Sequence, residues 1–245
     1  MGLPLNGNTR NDASIMKLRL HPITFTYPGT QKTILNNIAF SFREPGFNAL
    51  FGPSGVGKTS LARIITGAVP EFNDCIQVDS SLPLLYTYNL ERLPGWAAVG
   101  HHLKKIAPPG RQERLADLIE AFGLEECVGS RFTRLSLGQK NRINLIRYLL
   151  QDFHMLIMDE SLANVDEHTR EKIILKIKAM FPKAVFLYIS HNVVEVSKFC
   201  KEIVVLRNPA KSPQTQTVRG LNYQSETPLD HQSLETTMLE VMNAS

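Results

Sequence analysis

The chain has 245 residues, 43% of them hydrophobic and 20% charged, with a formal charge of +4, a balance that suits a globular protein built as one large domain or a core with one inserted subdomain. Its longest apolar run, residues 185–189, is strand-sized and far below the ~20 residues a membrane-spanning helix needs. The mild charge comes from dispersed Lys and Arg, which gives only weak support to a nucleic-acid partner, and three cysteines (Cys75, Cys127 and Cys200) without a C-x-x-C pair exclude a disulfide framework and are expected as packed thiols in a reducing compartment.

Residues 1–15 are polar and irregular, and disorder is expected there. They show no basic stretch followed by an apolar one, so no secretory leader is expected, and Asn6 stands where a myristoylation pattern needs Ser or Thr. Alternating apolar residues over 17–27 and 34–42 predict two antiparallel strands, the first followed by a turn at Pro28-Gly29-Thr30. Tyr27 closes the first strand with an aromatic ring suited to stacking on a flat base.

Residues 47–51 read as a short buried strand that runs into Gly52-Pro-Ser54-Gly55-Val-Gly57-Lys58-Thr59-Ser60, which satisfies G-x-x-x-x-G-K-[ST] at every fixed position. An amphipathic helix over 60–66, closed by Gly67, supplies the strand–turn–helix context that a phosphate loop requires. Glycines let backbone N–H groups converge on phosphate oxygens, and the helix start adds partial positive charge. Lys58 is suited to the β- and γ-phosphates and the Thr59 hydroxyl to Mg²⁺. The nucleotide-binding candidates are therefore Gly52, Ser54, Gly55, Gly57, Lys58, Thr59 and Ser60, with Tyr27 beside them.

Strand-like segments follow at 75–78 and 84–88, and from 89 to 134 the periodicity turns helical, most clearly over 96–106 and 111–122 on either side of Pro108-Pro109-Gly110. This predicts an inserted α-helical subdomain. His101 and His102 are adjacent and diverge on a helix, and all seven histidines are read as surface residues without metal spacing. Leu135-Ser136-Leu137-Gly138-Gln139 leads into an amphipathic helix over 140–150, with Ser136 as N-cap and the helix start as a second anion site. An apolar strand from 154 ends in Asp159 and Glu160. Asp159 suits a residue that holds Mg²⁺ through its water shell, and Glu160 a general base on the attacking water.

A loop over 161–166, a helix over 167–180 and a buried strand over 184–190 come next, the strand delivering His191 at its C-terminal end, where ligands of open α/β sheets bind. An imidazole there can hydrogen-bond a γ-phosphate and help position water. A helix over 193–199 and a strand over 202–206 complete the alternation. Residues 208–245 change character, with a polar loop and one short helix over 233–242, and their role is open between packing, regulation and partner binding.

In this order the motifs resemble the nucleotide-binding subunit of ATP-binding cassette (ABC) proteins over residues 17 to about 207. Tyr27 matches the aromatic A-loop, 52–59 Walker A, 135–139 the LSGGQ signature, 156–159 Walker B with Glu160 as catalytic glutamate, Ala163-Asn-Val-Asp166 the D-loop, and His191 the switch histidine. The resemblance implies an α/β fold: a P-loop NTPase core of mixed sheet flanked by helices (16–88 and 136–207), an N-terminal antiparallel β layer, a helical subdomain (89–135) and a C-terminal tail (208–245). It implies an ATPase using ATP and Mg²⁺, with Lys58, Glu160 and His191 catalytic and with Thr59 and Asp159 on the metal. It also implies a head-to-tail homodimer, in which Ser136, Gly138 and Gln139 meet the ATP bound by the second subunit and Asp166 belongs to the dimer contact. ATP-driven closure would drive integral membrane permease subunits at the cytoplasmic face of the membrane, with a solute-binding protein in importers and no nucleic acid. The segment Arg92-Leu-Pro-Gly-Trp96 looks most like importer ATPases of the nitrate, sulfonate and taurine group, which implies a small anionic solute.

Three positions depart from the family pattern. Leu137 replaces a signature glycine, the D-loop lacks its usual serine, and Tyr88 stands where a glutamine ordinarily ligates Mg²⁺, with Asn89 next to it. An exporter ATPase, a soluble mechanical ATPase acting on nucleic acid or ribosomes, and a degenerate module that holds ATP without turnover remain as alternatives. The single cassette and mild charge count against the mechanical reading, and the presence of Lys58, Asp159, Glu160 and His191 against the degenerate one.

Overall fold

Apolar residues at every second position force the first two strands to bury one face. In the computed structural model, which describes residues 17–245 except 79, 90, 94, 96, 226 and 227, β1 (Leu18–Thr26) pairs antiparallel with β2 (Thr33–Phe42), Leu18 opposite Phe42 and Leu20 opposite Phe40. Leu18, Leu20, Ile23 and Phe25 of β1 point inward with Leu35, Ile38 and Phe42 of β2. The chain continues through β3 (Gly46–Phe51) and α1 (Lys58–Ile65) to the two-residue β4 (Ile76–Gln77), which joins the free edge of β1.

Next come β5 (Leu84–Tyr88), α2 (Val99–Ile106), α3 (Gln112–Ala121), α4 (Leu137–Leu149), β6 (Met155–Asp159), α5 (Glu167–Met180), β7 (Val185–Ile189), α6 (Val193–Phe199), β8 (Glu202–Leu206), β9 (Thr215–Arg219) and α7 (His231–Ala244). The central sheet has the order β5-β6-β7-β3-β8-β9, parallel from β5 to β8 and closed by an antiparallel β9. β6 and β7 are buried at all five positions, as expected of parallel strands covered on both faces. Alternate residues serve two cores. Leu156, Met158 and Phe186 face the helices, while Met155, Ile157, Val185 and Leu187 face α1 and the β1–β2 layer. The register aligns Tyr88, Asp159, Ile189 and Leu50 in one row across the C-terminal ends of β5, β6, β7 and β3.

The expected mixed sheet, antiparallel layer and helical insertion are all present. Leu103, Leu115, Leu118 and Phe122 of the insertion share one core with Phe153 and Phe186, so α2 and α3 are packed onto the body of the fold. The cysteines behave as packed thiols, Cys127 and Cys200 buried and Cys75 half-buried. No helix among the described residues is long and apolar enough to cross a membrane.

Several expectations need correction. The helix expected over 140–150 starts at Leu137, so signature residues 137–139 lie in its first turn, with Ser136 as the expected N-cap. The C-terminal segment holds more order than a polar loop and a short helix: β9 pairs with β8, Ile203 opposite Val218, and α7 runs from His231 to Ala244 with Leu234 and Val241 buried. β9 has one buried residue in five, so alternation was too weak to reveal it. Two histidines are not surface residues. His102 is half-buried with its ring edge-on to Phe132 and its pKa lowered chiefly by burial, and Nε2 of half-buried His154 lies 2.7 Å from the Lys17 carbonyl. The expectation of disorder over 1–15 and the positions of Pro94 and Trp96 lie outside the described residues.

Candidate nucleotide site

The phosphate loop owes its path to positions that exclude side chains. At Gly52, φ is +154° and an added Cβ would lie 2.3 Å from the Leu206 carbonyl oxygen; at Gly57, φ is +111° and a Cβ would lie 2.7 Å from Ile34 Cγ2. The loop is thus threaded between the end of β8 and the start of β2. Gly57 is the N-cap of α1 and makes no side-chain cap, which leaves the first N–H groups of the helix open to an anion. Lys58 Nζ lies over the loop, donating to the carbonyls of Gly52 at 2.7 Å and Pro53 at 2.8 Å. Burial lowers its pKa, while Glu160 and Asp159 oppose that shift.

These residues border a cavity of about 470 Å³ lined by Tyr27, Ile34, Ser54, Gly55, Gly57 to Ser60, Tyr86, Tyr88, Asn89, Asp159 and Glu160. Tyr27 is 42% exposed, packs edge-on against Phe25, and its hydroxyl lies 2.6 Å from Ser60 Oγ. Asp159 is buried, and its Oδ2 accepts hydrogen bonds from Thr59 Oγ1 and from the Tyr86 hydroxyl, each at 2.8 Å. Burial, and then the Asp159 charge, push the Tyr86 pKa up, so the phenol stays a donor. A hydroxyl and a carboxylate form an all-oxygen donor set, which fits Mg²⁺. Among the described residues no group of three or more His, Cys, Asp or Glu side chains could hold a metal.

Glu160 follows β6 with φ +50°, a left-handed conformation uncommon for a residue with a side chain and typical of functional turns. Its N–H donates to the Ile189 carbonyl at 3.1 Å, and its Oε1 lies 3.3 Å from His191 Nδ1. Both side chains face solvent, at 42% and 74% exposure, so His191 reaches the site through Glu160 rather than by lining the cavity.

The signature is placed elsewhere. Ser136 Oγ accepts from Gln139 N–H at 3.1 Å and Gln139 Oε1 accepts from Ser136 N–H at 2.8 Å, a capping box at the start of α4. A Cβ on Gly138 would lie 2.2 Å from the Asn164 carbonyl oxygen, so that glycine is packed against the D-loop of its own chain. Asp166 caps α5 by accepting from Thr169 N–H at 2.9 Å, which lowers its pKa. None of Ser136, Gly138, Gln139 and Asp166 borders the 470 Å³ cavity.

Sequence reasoning missed Tyr86 and the polar face of α4. The signal for Tyr86 was its place two residues before Tyr88, on the same face of a strand. Asn141, Asn144 and Tyr148 follow helical spacing. Asn141 donates to Asn89 Oδ1 and the Ala163 carbonyl, each at 2.8 Å, while Asn144 at 2.8 Å and Tyr148 at 2.9 Å donate to Glu91. This face fixes the segment after β5 against the signature helix.

Known proteins share both the sequence and the fold. "Taurine import ATP-binding protein TauB" of Pseudomonas fluorescens (strain Pf0-1) is 30% identical over 210 residues, covering 79% of this chain and 79% of its own length. "Molybdenum import ATP-binding protein ModC" of Mesorhizobium japonicum is 31% identical over 180 residues, covering 64% of this chain, and the match spans 48% of that relative's length. Among solved structures, a nucleotide-free ATP-binding cassette from an ABC transporter superposes with a TM-score of 0.68 at 18% identity, over 93% of this chain and 99% of that one, a likeness of fold. The ABC transporter family profile matches residues 35–163. Because that match takes in more than half of the chain, from β2 through the phosphate loop to the turn after Glu160, the chain belongs to the ABC transporter family and is one of its ATP-binding, ATP-hydrolysing subunits.

Proposed function

We propose that this chain is the ATPase subunit of a membrane importer for a small anionic solute, working as a head-to-tail homodimer at the cytoplasmic face and attached to integral membrane permease subunits. The observation that carries the reading is the convergence of Lys58, Thr59, Asp159 and Glu160 on one cavity at the C-terminal ends of β3, β5 and β6. Relatives named for taurine and molybdenum import favour import over export.

In this reading Tyr27 stacks on the adenine, and the backbone of residues 52–60, including Gly52, Ser54, Gly55, Gly57 and Ser60, wraps the phosphates. Lys58 exchanges its two carbonyl partners for phosphate oxygens. Thr59 and Asp159 hold Mg²⁺, whose charge offsets that of the phosphates. Glu160 takes a proton from the attacking water, and His191, within 3.3 Å of it, orients that carboxylate. Ser136, Gly138, Gln139 and Asp166 stand outside the cavity of their own chain, an arrangement that supports their service to ATP bound by a second copy. Core segments 16–88 and 136–207 carry the chemistry, and a solute-binding protein selects the cargo.

The test is the Glu160→Gln variant purified with ATP and Mg²⁺. Loss of a general base predicts steady hydrolysis about 10²–10⁴-fold lower, with ATP retained, a dimeric mass by light scattering, and a multi-spanning membrane protein co-purifying from detergent-solubilised membranes. Undiminished hydrolysis would refute the role of Glu160, and a monomer with no membrane partner would refute the transporter assembly.

A further inference from the structure

β5 brings a second tyrosine to the site that the hydrolysis reading leaves unused. Alternation along the strand puts Leu84, Tyr86 and Tyr88 on one face, with Tyr86 opposite Ile157 and Tyr88 opposite Asp159. The Tyr86 hydroxyl reaches along the strand to Asp159 Oδ2 at 2.8 Å, and Thr59 Oγ1 donates to the same oxygen at 2.8 Å. Tyr88 is stacked on Tyr86, with ring centroids 5.6 Å apart and 25° between the planes, so the phenol has a braced direction. Both rings line the cavity. Tyr88 also occupies the position at which the family resemblance places a metal-ligating glutamine, so no glutamine stands there and the nearest amide is that of Asn89.

A phenol donating to a carboxylate makes a charge-assisted hydrogen bond, stronger and more directional than a neutral one. With two donors on Oδ2, rotation of the carboxyl group is restrained. Oδ1, which takes no hydrogen bond among the described residues, is left to accept from a water. We propose that Tyr86 is a positioning residue for the metal site: its hydroxyl holds Asp159 in the orientation that serves the water shell of Mg²⁺, with Tyr88 as the brace. The tyrosine pair thereby restrains the metal site from its outer side in a chain without the usual glutamine. The inference rests on the nucleotide-site reading above.

The test uses the full chain with a non-hydrolysable ATP analogue and Mn²⁺ as the metal probe, bound Mn²⁺ being read by electron paramagnetic resonance. Tyr86→Phe removes only the hydroxyl and keeps the stacked ring. Outer-shell partners are worth about 10–100-fold in metal affinity, and the expected result is an Mn²⁺ dissociation constant about 10-fold higher. Analogue affinity measured in EDTA should stay within about twofold of the original protein, a split that general damage to the pocket would not produce. Tyr88→Ala, which keeps the hydroxyl and removes the brace, should weaken Mn²⁺ in the same direction by less.

Unchanged Mn²⁺ affinity in Tyr86→Phe, with normal binding by the unaltered chain, would overturn this inference alone. Equal losses with and without metal, or a larger loss in Tyr88→Ala than in Tyr86→Phe, would overturn it as well. An unaltered chain that binds no analogue would overturn the nucleotide-site reading and this inference with it.

Discussion

Replacing Gly138 with alanine tests how firmly the start of α4 is held against the loop that precedes α5. Gly138 is buried in the first turn of the helix, and an added Cβ would sit 2.2 Å from the Asn164 carbonyl oxygen and 3.2 Å from its carbon. Ordinary van der Waals contact begins near 3.4 Å, so the two segments must separate by about 1 Å. The loop cannot swing away freely: Ala163 N–H donates to the Glu160 carbonyl at 2.9 Å, Asn141 holds the Ala163 carbonyl at 2.8 Å, and Asn164 itself has φ +62°. Overpacking of this kind costs ~1–3 kcal/mol, and the better helix propensity of alanine offsets at most ~1 kcal/mol of it.

A net loss of about 1–2 kcal/mol should lower Tm by about 2–8 °C in a chain of this size. Gly129→Ala is the control, because that glycine is exposed and an added Cβ meets nothing within 4 Å. Scanning calorimetry on both variants reads the difference. Since Asn164 lies four residues after Glu160, the same displacement should reduce turnover more than ATP affinity. A Tm for Gly138→Ala equal to that of Gly129→Ala, with turnover intact, would refute the packing argument.

Two further outcomes are expected. Lys178 Nζ donates to the carbonyls of Phe199 at 2.9 Å and Tyr223 at 2.6 Å, and burial holds its pKa down at about 8 against an ordinary 10.5. The unfolded chain therefore binds more protons between those values, and stability should rise with pH across the window, by ~1–2 kcal/mol after allowing for partial exposure. Urea unfolding at several pH values across it should show the rise flattened in Lys178→Met, and an unchanged pH slope would count against the assignment. Gln214 is 2% exposed, accepts from Asn36 N–H at 2.6 Å and donates to the carbonyls of Ile34 and Arg207 at 3.0 Å each. Gln214→Ala strands these backbone groups and should cost ~2–4 kcal/mol by denaturant unfolding, with weaker ATP binding through Ile34 at the cavity wall; a loss below ~0.5 kcal/mol would show that water replaces the side chain.

Much of the chemistry was legible because it is local in the chain. The phosphate loop is one strand–turn–helix unit whose glycines are required by backbone stereochemistry, and Asp159 and Glu160 adjoin at the end of one apolar strand. For the same reason the helices at 167–180 and 193–199 and the strand at 202–206 were read with the bounds they have. Tyr86 was not legible as a site residue, because its partner Asp159 lies 73 positions away and only the β5–β6 register brings them together. Neither was β9, whose single buried residue gives no periodic signal and whose place is set by backbone pairing with β8.

Gly138 shows the boundary between the two kinds of information. The sequence by itself determined that a glycine stands just after the Ser136 N-cap, along with the strand and helix periods and the motif residues, all of which follow from stereochemistry and burial within a few residues. Only the tertiary structure decided that the neighbour of Gly138 is the Asn164 carbonyl, that Thr59 and Tyr86 share one oxygen of Asp159, and that Gln214 ties the C-terminal segment to β2. Those contacts join residues distant in the chain, and they depend on how elements with similar local patterns pack and pair.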